Sequence, residues 1–136
     1  RAAVEEGIVP GGGICLLQAV NSINNAMEQR CLSQDMQQGY NIVMRAAQRP
    51  FEAILNNAGK SAVEVKVAMK DAGVDGYDVR NDIPVNMVEA GIIDPAKVTV
   101  TALELANSAA GTLLTTECVV SIDPDQPKED KQQNWM

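Results

Sequence analysis

The sequence predicts a mainly helical fold with small β elements, and three features point there. Hydrophobic residues make up 46% of the 136 residues, but aromatic ones only 3%. A core of Ala, Val, Ile, Leu and Met suits close helix packing better than a sandwich rich in aromatic and β-branched residues. Apolar positions also recur at three- and four-residue steps through much of the chain, the period of a helix with one buried face. Finally, Ser, Asp, Pro and Gly stand where those runs begin and end, as helix caps do.

"RAAVEE" reads as the interior of a helix with no N-cap ahead of it. The chain opens at Arg1 without a Met, so it reads as a piece of a longer polypeptide. Pro10 and the consecutive glycines Gly11, Gly12 and Gly13 then precede an apolar run. From Ile14 to Glu28, Leu16, Leu17, Val20, Ile23 and Met27 form one stripe and predict a helix, which residues 29 to 33 interrupt. Ser33 is the expected N-cap of a second helix, with Met36, Tyr40, Val43, Met44 and Ala47 on one face. Pro50 ends or kinks that helix and serves in the first turn of the next. That third helix carries Phe51, Ile54 and Leu55 and stops at Gly59.

Ser61 and Glu64 have the spacing of a capping box, opening a helix through about Lys70 that Gly73 closes. The alternation of Val63, Val65 and Val67 argues for a strand instead; the cap with Ala62, Ala68 and Met69 favours the helix. "DAGVDGYDVRND" reads as a turn and short hairpin arm around Tyr77, and "VNMVEAG" as a helical turn ended by Gly91. Asp94 and Pro95 look like the N-cap and first residue of the longest helix, roughly residues 95 to 116, with Val98, Ala102, Leu105, Ala109 and Leu113 as its buried stripe. "ECVVSI", residues 117 to 122, is the clearest strand, and the segment from Asp123 onward reads as a mobile tail.

Charge and composition exclude several functions. The net charge of −7 is the wrong sign for a nucleic-acid binder. There is no histidine, hence none of the commonest general base and metal ligand. No apolar stretch reaches membrane-spanning length and no signal peptide is visible. Cys15, Cys31 and Cys118 are odd in number, widely spaced and set among apolar residues, so they are expected to be reduced core thiols.

Three places invite a functional reading. Glycines before a helix N-terminus let a phosphate or other ligand approach bare N–H groups. They also let two helices meet at a sharp angle, and the spacing is not that of a Walker loop. Asp94 is an N-cap or a hydrogen-bond acceptor for a ribose hydroxyl. Tyr77 with Asp78 is a turn plug or one wall of a base pocket.

Taken together these segments resemble a known family. "RAAVEEGIVPGGG", "GYDVRNDIPVNMVEAGIIDPAKVT" and "ALELANSAAGTLLTTECVV" stand in the order and spacing of group I chaperonins, the bacterial GroEL type and its organellar relatives, from Arg1 to about Ile122. The resemblance implies the C-terminal part of a helical equatorial domain. Residues 1–6 would end an intermediate-domain segment, 7–122 form the C-terminal half of the ATP-binding equatorial domain, and 123–136 form the tail. It implies ATP or ADP with Mg²⁺ as ligand, with Gly12 at the centre of the Gly11–Gly13 nucleotide contact. Asp78, Val79 and Arg80 would line the adenine, Ile54 and Ile92 would pack against the base, and Asp94 would bond the ribose. It also implies ring contacts with other chaperonin subunits, and a co-chaperonin and unfolded polypeptides reached through other domains. The location implied is the bacterial cytoplasm, or the mitochondrial matrix or a plastid for an organellar member.

The chain departs from the family pattern at several points. Val79 and Arg80 stand where small residues, often Ala, are usual. The stretch near Glu28–Ser33 is a few residues longer, and "KEDKQQNWM" replaces a Gly-Gly-Met-rich tail. The phosphate loop and the water-positioning aspartate of the family belong to segments that are not in this sequence, so hydrolysis is not expected from this chain alone. The reading of another class is a structural or assembly module with no ligand of its own.

Overall fold

The structure is a computed structural model and describes residues 2–27 and 33–121. Helices dominate: α1 (Ala2–Glu6), α2 (Ile14–Met27), α3 (Gln34–Ala47), α4 (Arg49–Asn57), α5 (Ala62–Ala72) and α6 (Ala96–Leu114). Among the described residues, four short strands form two antiparallel pairs. β1 (Ile8–Pro10) pairs with β4 (Ile93–Pro95), and β2 (Gly76–Asp78) pairs with β3 (Ile83–Val85). The chain divides into two units, Arg1–Ala102 and Leu103–Met136.

Local sequence explains most of these boundaries. The Ser33 hydroxyl accepts from the Met36 N–H at 3.4 Å and starts α3. The Ser61 hydroxyl accepts from the Glu64 N–H at 3.5 Å and starts α5, which settles helix over strand for the valine alternation. In helical geometry Val65 and Met69 lie one turn apart and both are buried, while Val63 and Val67 face outward. At the end of α4, the Gly59 N–H reaches the Asn56 carbonyl at 2.9 Å and the Lys60 N–H reaches the Leu55 carbonyl at 2.8 Å. That is the paired bond pattern of a Schellman motif, with Gly59 at φ +71°.

The core of the first unit joins Ile14 and Leu17 of α2, Phe51 and Leu55 of α4, Val65 and Met69 of α5, and Met87 from the turn after β3. Burying an aliphatic or aromatic side chain of this size contributes about 1.5–3 kcal/mol. The glycine turn permits that assembly. A Cβ on Gly13, whose φ is +76°, would stand 2.7 Å from the Phe51 nitrogen. A Cβ on Gly11 would stand 3.1 Å from the Ile92 carbonyl oxygen, which the Gly11 N–H meets at 2.9 Å.

Four expectations are corrected. Asp94 and Pro95 do not open the last helix: they belong to β4, with Asp94 opposite Val9, and α6 starts at Ala96. A residue before proline is pushed toward extended backbone, and Ile8–Pro10 offers it a ladder partner. The stripe on α6 is not buried either; Leu105 is 66% exposed and Leu113 67%. The same holds for α3, none of whose residues is buried. Residues 117–121 of "ECVVSI" form no strand, and Val120 is 93% exposed. A strand exists only in a ladder, and residues 117–121 belong to neither of the two ladders among the described residues. Finally, Cys118 is exposed and Cys15 only half-buried, so neither is a core thiol. Burial, opposed by a hydrogen bond with Thr99 and helped by the Asp94 charge, raises the Cys15 thiol. Cys31, residues 28–32 and the tail lie outside the described residues.

The glycine turn and a helix glycine should respond oppositely to alanine. Gly13→Ala is expected to lower stability by about 2 kcal/mol or more, because strain at positive φ adds to the clash with Phe51. Gly39→Ala, in the interior of α3 with open space around it, is expected to raise stability by about 0.5–1 kcal/mol. Urea unfolding of the two variants, read by circular dichroism, checks both.

Candidate functional site

A cleft of about 440 Å³ opens in the first unit beside the glycine turn. Its floor is apolar and buried: Ile14, Phe51, Leu55 and Met87. Its walls are Gly12, Tyr77, Val79, Ile54 and Ile92, and Asp78, Arg80 and Asn81 stand at the hairpin rim. Apolar faces with a few polar groups at one edge suit a flat, partly apolar ligand.

Each wall is held by backbone geometry. Ile92 is pinned from both sides, its N–H on the Met87 carbonyl at 2.9 Å and its own carbonyl on the Gly11 N–H at 2.9 Å. Met87, only 1% exposed, lies between two glycines. A Cβ on Gly76 would overlap its Cγ, and one on Gly12 would meet its Cε at 3.1 Å. Gly12 therefore keeps both the buried methionine and the cleft free of a side chain.

The hairpin that carries the other wall is built by its aspartates. The Asp75 carboxylate receives the Gln18 amide at 2.9 Å and the Met87 N–H at 3.4 Å, fixing the root. Asp78 Oδ1 accepts from the Arg80 N–H at 2.9 Å and the Asn81 N–H at 3.1 Å, and the Asn81 amide donates to Asp78 Oδ2 at 2.7 Å. This is an Asx turn, and these bonds, the Asn81 side chain first, hold the Asp78 carboxyl below the usual range. Asp82, at φ +60°, receives the Tyr77 hydroxyl and pairs with Lys60 Nζ at 2.6 Å. Lys60 first, then Tyr77, depress the Asp82 carboxyl, while the same contacts raise Lys60 and Tyr77.

The structure brings together seven of the residues singled out from the sequence. Gly12, Ile54, Tyr77, Asp78, Val79, Arg80 and Ile92 line one cleft although they come from four separate segments. Gly11 and Gly13 lie behind it, against Ile92 and Phe51. Asp94 is exposed on β4, outside the lining residues. Arg80 is exposed at the rim. Phe51, Leu55, Ile14 and Met87 were visible in the sequence only as helix or turn residues; nothing in their spacing shows that a core residue also floors a cleft. Among the described residues, no group of three or more His, Cys, Asp and Glu is placed to hold a metal ion. A second, more polar hollow of about 360 Å³ lies between α2 and α5. Four of its polar groups form two partnered pairs, Gln18 with Asp75 at 2.9 Å and Lys66 with Gln48 at 3.0 Å.

The model of the TCP-1/cpn60 chaperonin family matches residues 1–124 of the chain. The chain belongs to the TCP-1/cpn60 chaperonin family, and that membership supports a role in protein folding.

The hairpin should carry an acid-sensitive order. Both Asp78 and Asp82 have depressed folded values, so their contribution is complete above the ordinary carboxylate range near about 4 and disappears as pH falls through the lower folded values. The protection of the Arg80 and Asn81 amides, measured as exchange relative to the intrinsic rate at each pH, is expected to hold down to about pH 5 and to fall below about pH 4. Asp78→Ala is expected to remove that protection at every pH.

Proposed function

We propose that the chain is the C-terminal part of the equatorial domain of a group I chaperonin and forms the adenosine side of its ATP pocket. The observation that carries this reading is the cleft itself. Six of the nine residues that the family resemblance assigns to the nucleotide, from the glycine turn, α4, the hairpin and the turn before β4, converge on it, while Gly11, Gly13 and Asp94 do not line it. Its chemistry fits a nucleoside. Ile54, Val79 and Ile92 offer apolar surfaces for a purine face, and the rim supplies the polar edge. Asp94, beyond the wall residue Ile92, is the carboxylate proposed to reach the ribose.

The residues of this chain bind and orient; they transfer no proton and cleave no bond. Mg²⁺ and the triphosphate would be held by segments outside this sequence, and Mg²⁺ there would supply charge neutralisation at the phosphates. Arg80 is long and exposed, so it occupies the rim without filling the floor. The exposed apolar faces of α3 (Met36, Ile42, Val43) and α6 (Val98, Leu105, Leu113) support ring contacts with other subunits. They also favour the second reading, an assembly module without its own ligand. Co-chaperonin and unfolded polypeptide would be engaged by other domains of the same protein, in the bacterial cytoplasm or an organelle matrix.

A fluorescent-ATP titration of the full-length protein separates the two readings. Ile54→Glu sets a carboxylate against the base at a half-exposed position and is expected to weaken binding about tenfold or more. Asp94→Ala is expected to weaken it about three- to tenfold. Unchanged affinity in both variants would leave the assembly module as the function of this chain.

A further inference from the structure

The β2–β3 hairpin supplies a whole wall of the cleft, yet its own ladder is weak. Only three residue pairs join it, Gly76↔Val85, Tyr77↔Pro84 and Asp78↔Ile83. Pro84 has no N–H to give to its ladder, and an isolated two-stranded ribbon is marginal in water. The root is secured by Asp75. The tip is secured elsewhere: the ion pair from Lys60 Nζ to Asp82 at 2.6 Å joins it to the α4–α5 loop. Lys60 itself is firmly mounted. Its N–H is bonded to the carbonyl of Leu55 at 2.8 Å, and Leu55 is part of the cleft floor. Asp82 in turn receives the hydroxyl of Tyr77, whose ring lines the cleft. Floor, loop, tip and wall thus form one closed circuit of named contacts.

We propose that Lys60 and Asp82 are positioning residues, a latch that holds the hairpin as the closed wall of the cleft and sets how long a nucleotide stays there. This rests on the nucleotide reading above and deepens it, since neither residue touches the ligand. An exposed ion pair gives a modest, salt-sensitive restraint, which is what a reversible wall requires: closed often enough to hold the ligand, open often enough to release it. Asp82 is suited to the tip because a short acidic side chain tolerates its left-handed backbone and serves two donors at once.

The test is stopped-flow displacement of a fluorescent ATP analogue from the full-length protein, with amide exchange of residues 77–83 measured in parallel without nucleotide. Lys60→Ala is expected to speed both nucleotide release and hairpin exchange about threefold, with the association rate nearly unchanged. Lys60→Arg is expected to restore both. Asp82→Gly, which keeps the backbone geometry but loses both donors, is expected to speed release about fivefold. Raising salt from about 0.1 M to about 1 M should speed release from the unaltered protein but not from Lys60→Ala. Faster hairpin exchange with unchanged release in Lys60→Ala would overturn the latch and leave the nucleotide reading intact. Failure of the unaltered protein to bind the analogue would overturn both.

Discussion

The fold rests on a close approach of two backbones. Gly13 stands against the first turn of α4 with no room for a side chain, so α2 and α4 meet with Ile14 and Phe51 in contact range of one core. Everything that forms the cleft follows from that meeting. The floor is the buried face of α4 and the first residue of α2. Gly11 binds the carbonyl of Ile92 and so draws the segment before β4 alongside. Gly12 leaves Met87 its place beneath the wall. Consecutive glycines are costly to order, and here each of them answers to a named neighbour: Ile92, Met87 and Phe51.

Signals that are local in sequence were legible, and signals that depend on partners were not. Ser33, Ser61, Gly59 and Gly73 mark helix ends where the structure has them, because a cap acts within a few residues of itself. The hairpin around Tyr77 was legible from its Gly and Asp content for the same reason. Asp94–Pro95 has the composition of a helix start, but a long-range ladder with Ile8–Pro10 overrides it. The stripes of α3 and α6 were correctly apolar and correctly helical, but periodicity identifies a face that wants covering and does not supply the cover. "ECVVSI" fails as a strand on the same ground. For the cleft, the residues were found by resemblance to a family, and their convergence came only with the fold; the double duty of Phe51, Leu55 and Met87 as core and floor has no sequence signature.

The division of labour within the cleft bears on function. Its floor is part of the hydrophobic core and is therefore as rigid as the fold. Its hairpin wall is held by the half-buried carboxylates of Asp75 and Asp78 and the exposed one of Asp82, engaged in hydrogen bonds and an ion pair, and is therefore adjustable. Under the proposed nucleotide reading, a rigid floor with an adjustable wall suits a ligand that is bound and released repeatedly. Membership of the TCP-1/cpn60 chaperonin family gives that construction its context. Uncovered apolar faces on α3 and α6 fit a protein that works in contact with other chains.

The most direct measurement is methyl NMR of the full-length protein with labelled Ile and Val methyl groups and bound ATP. The account predicts nuclear Overhauser contacts from the adenine protons to the methyls of Ile54, Val79 and Ile92, and none to Val74 at the hollow between α2 and α5. Adenine contacts at Val74, or at none of these methyls although ATP is bound, would contradict the assignment of this cleft to the nucleotide.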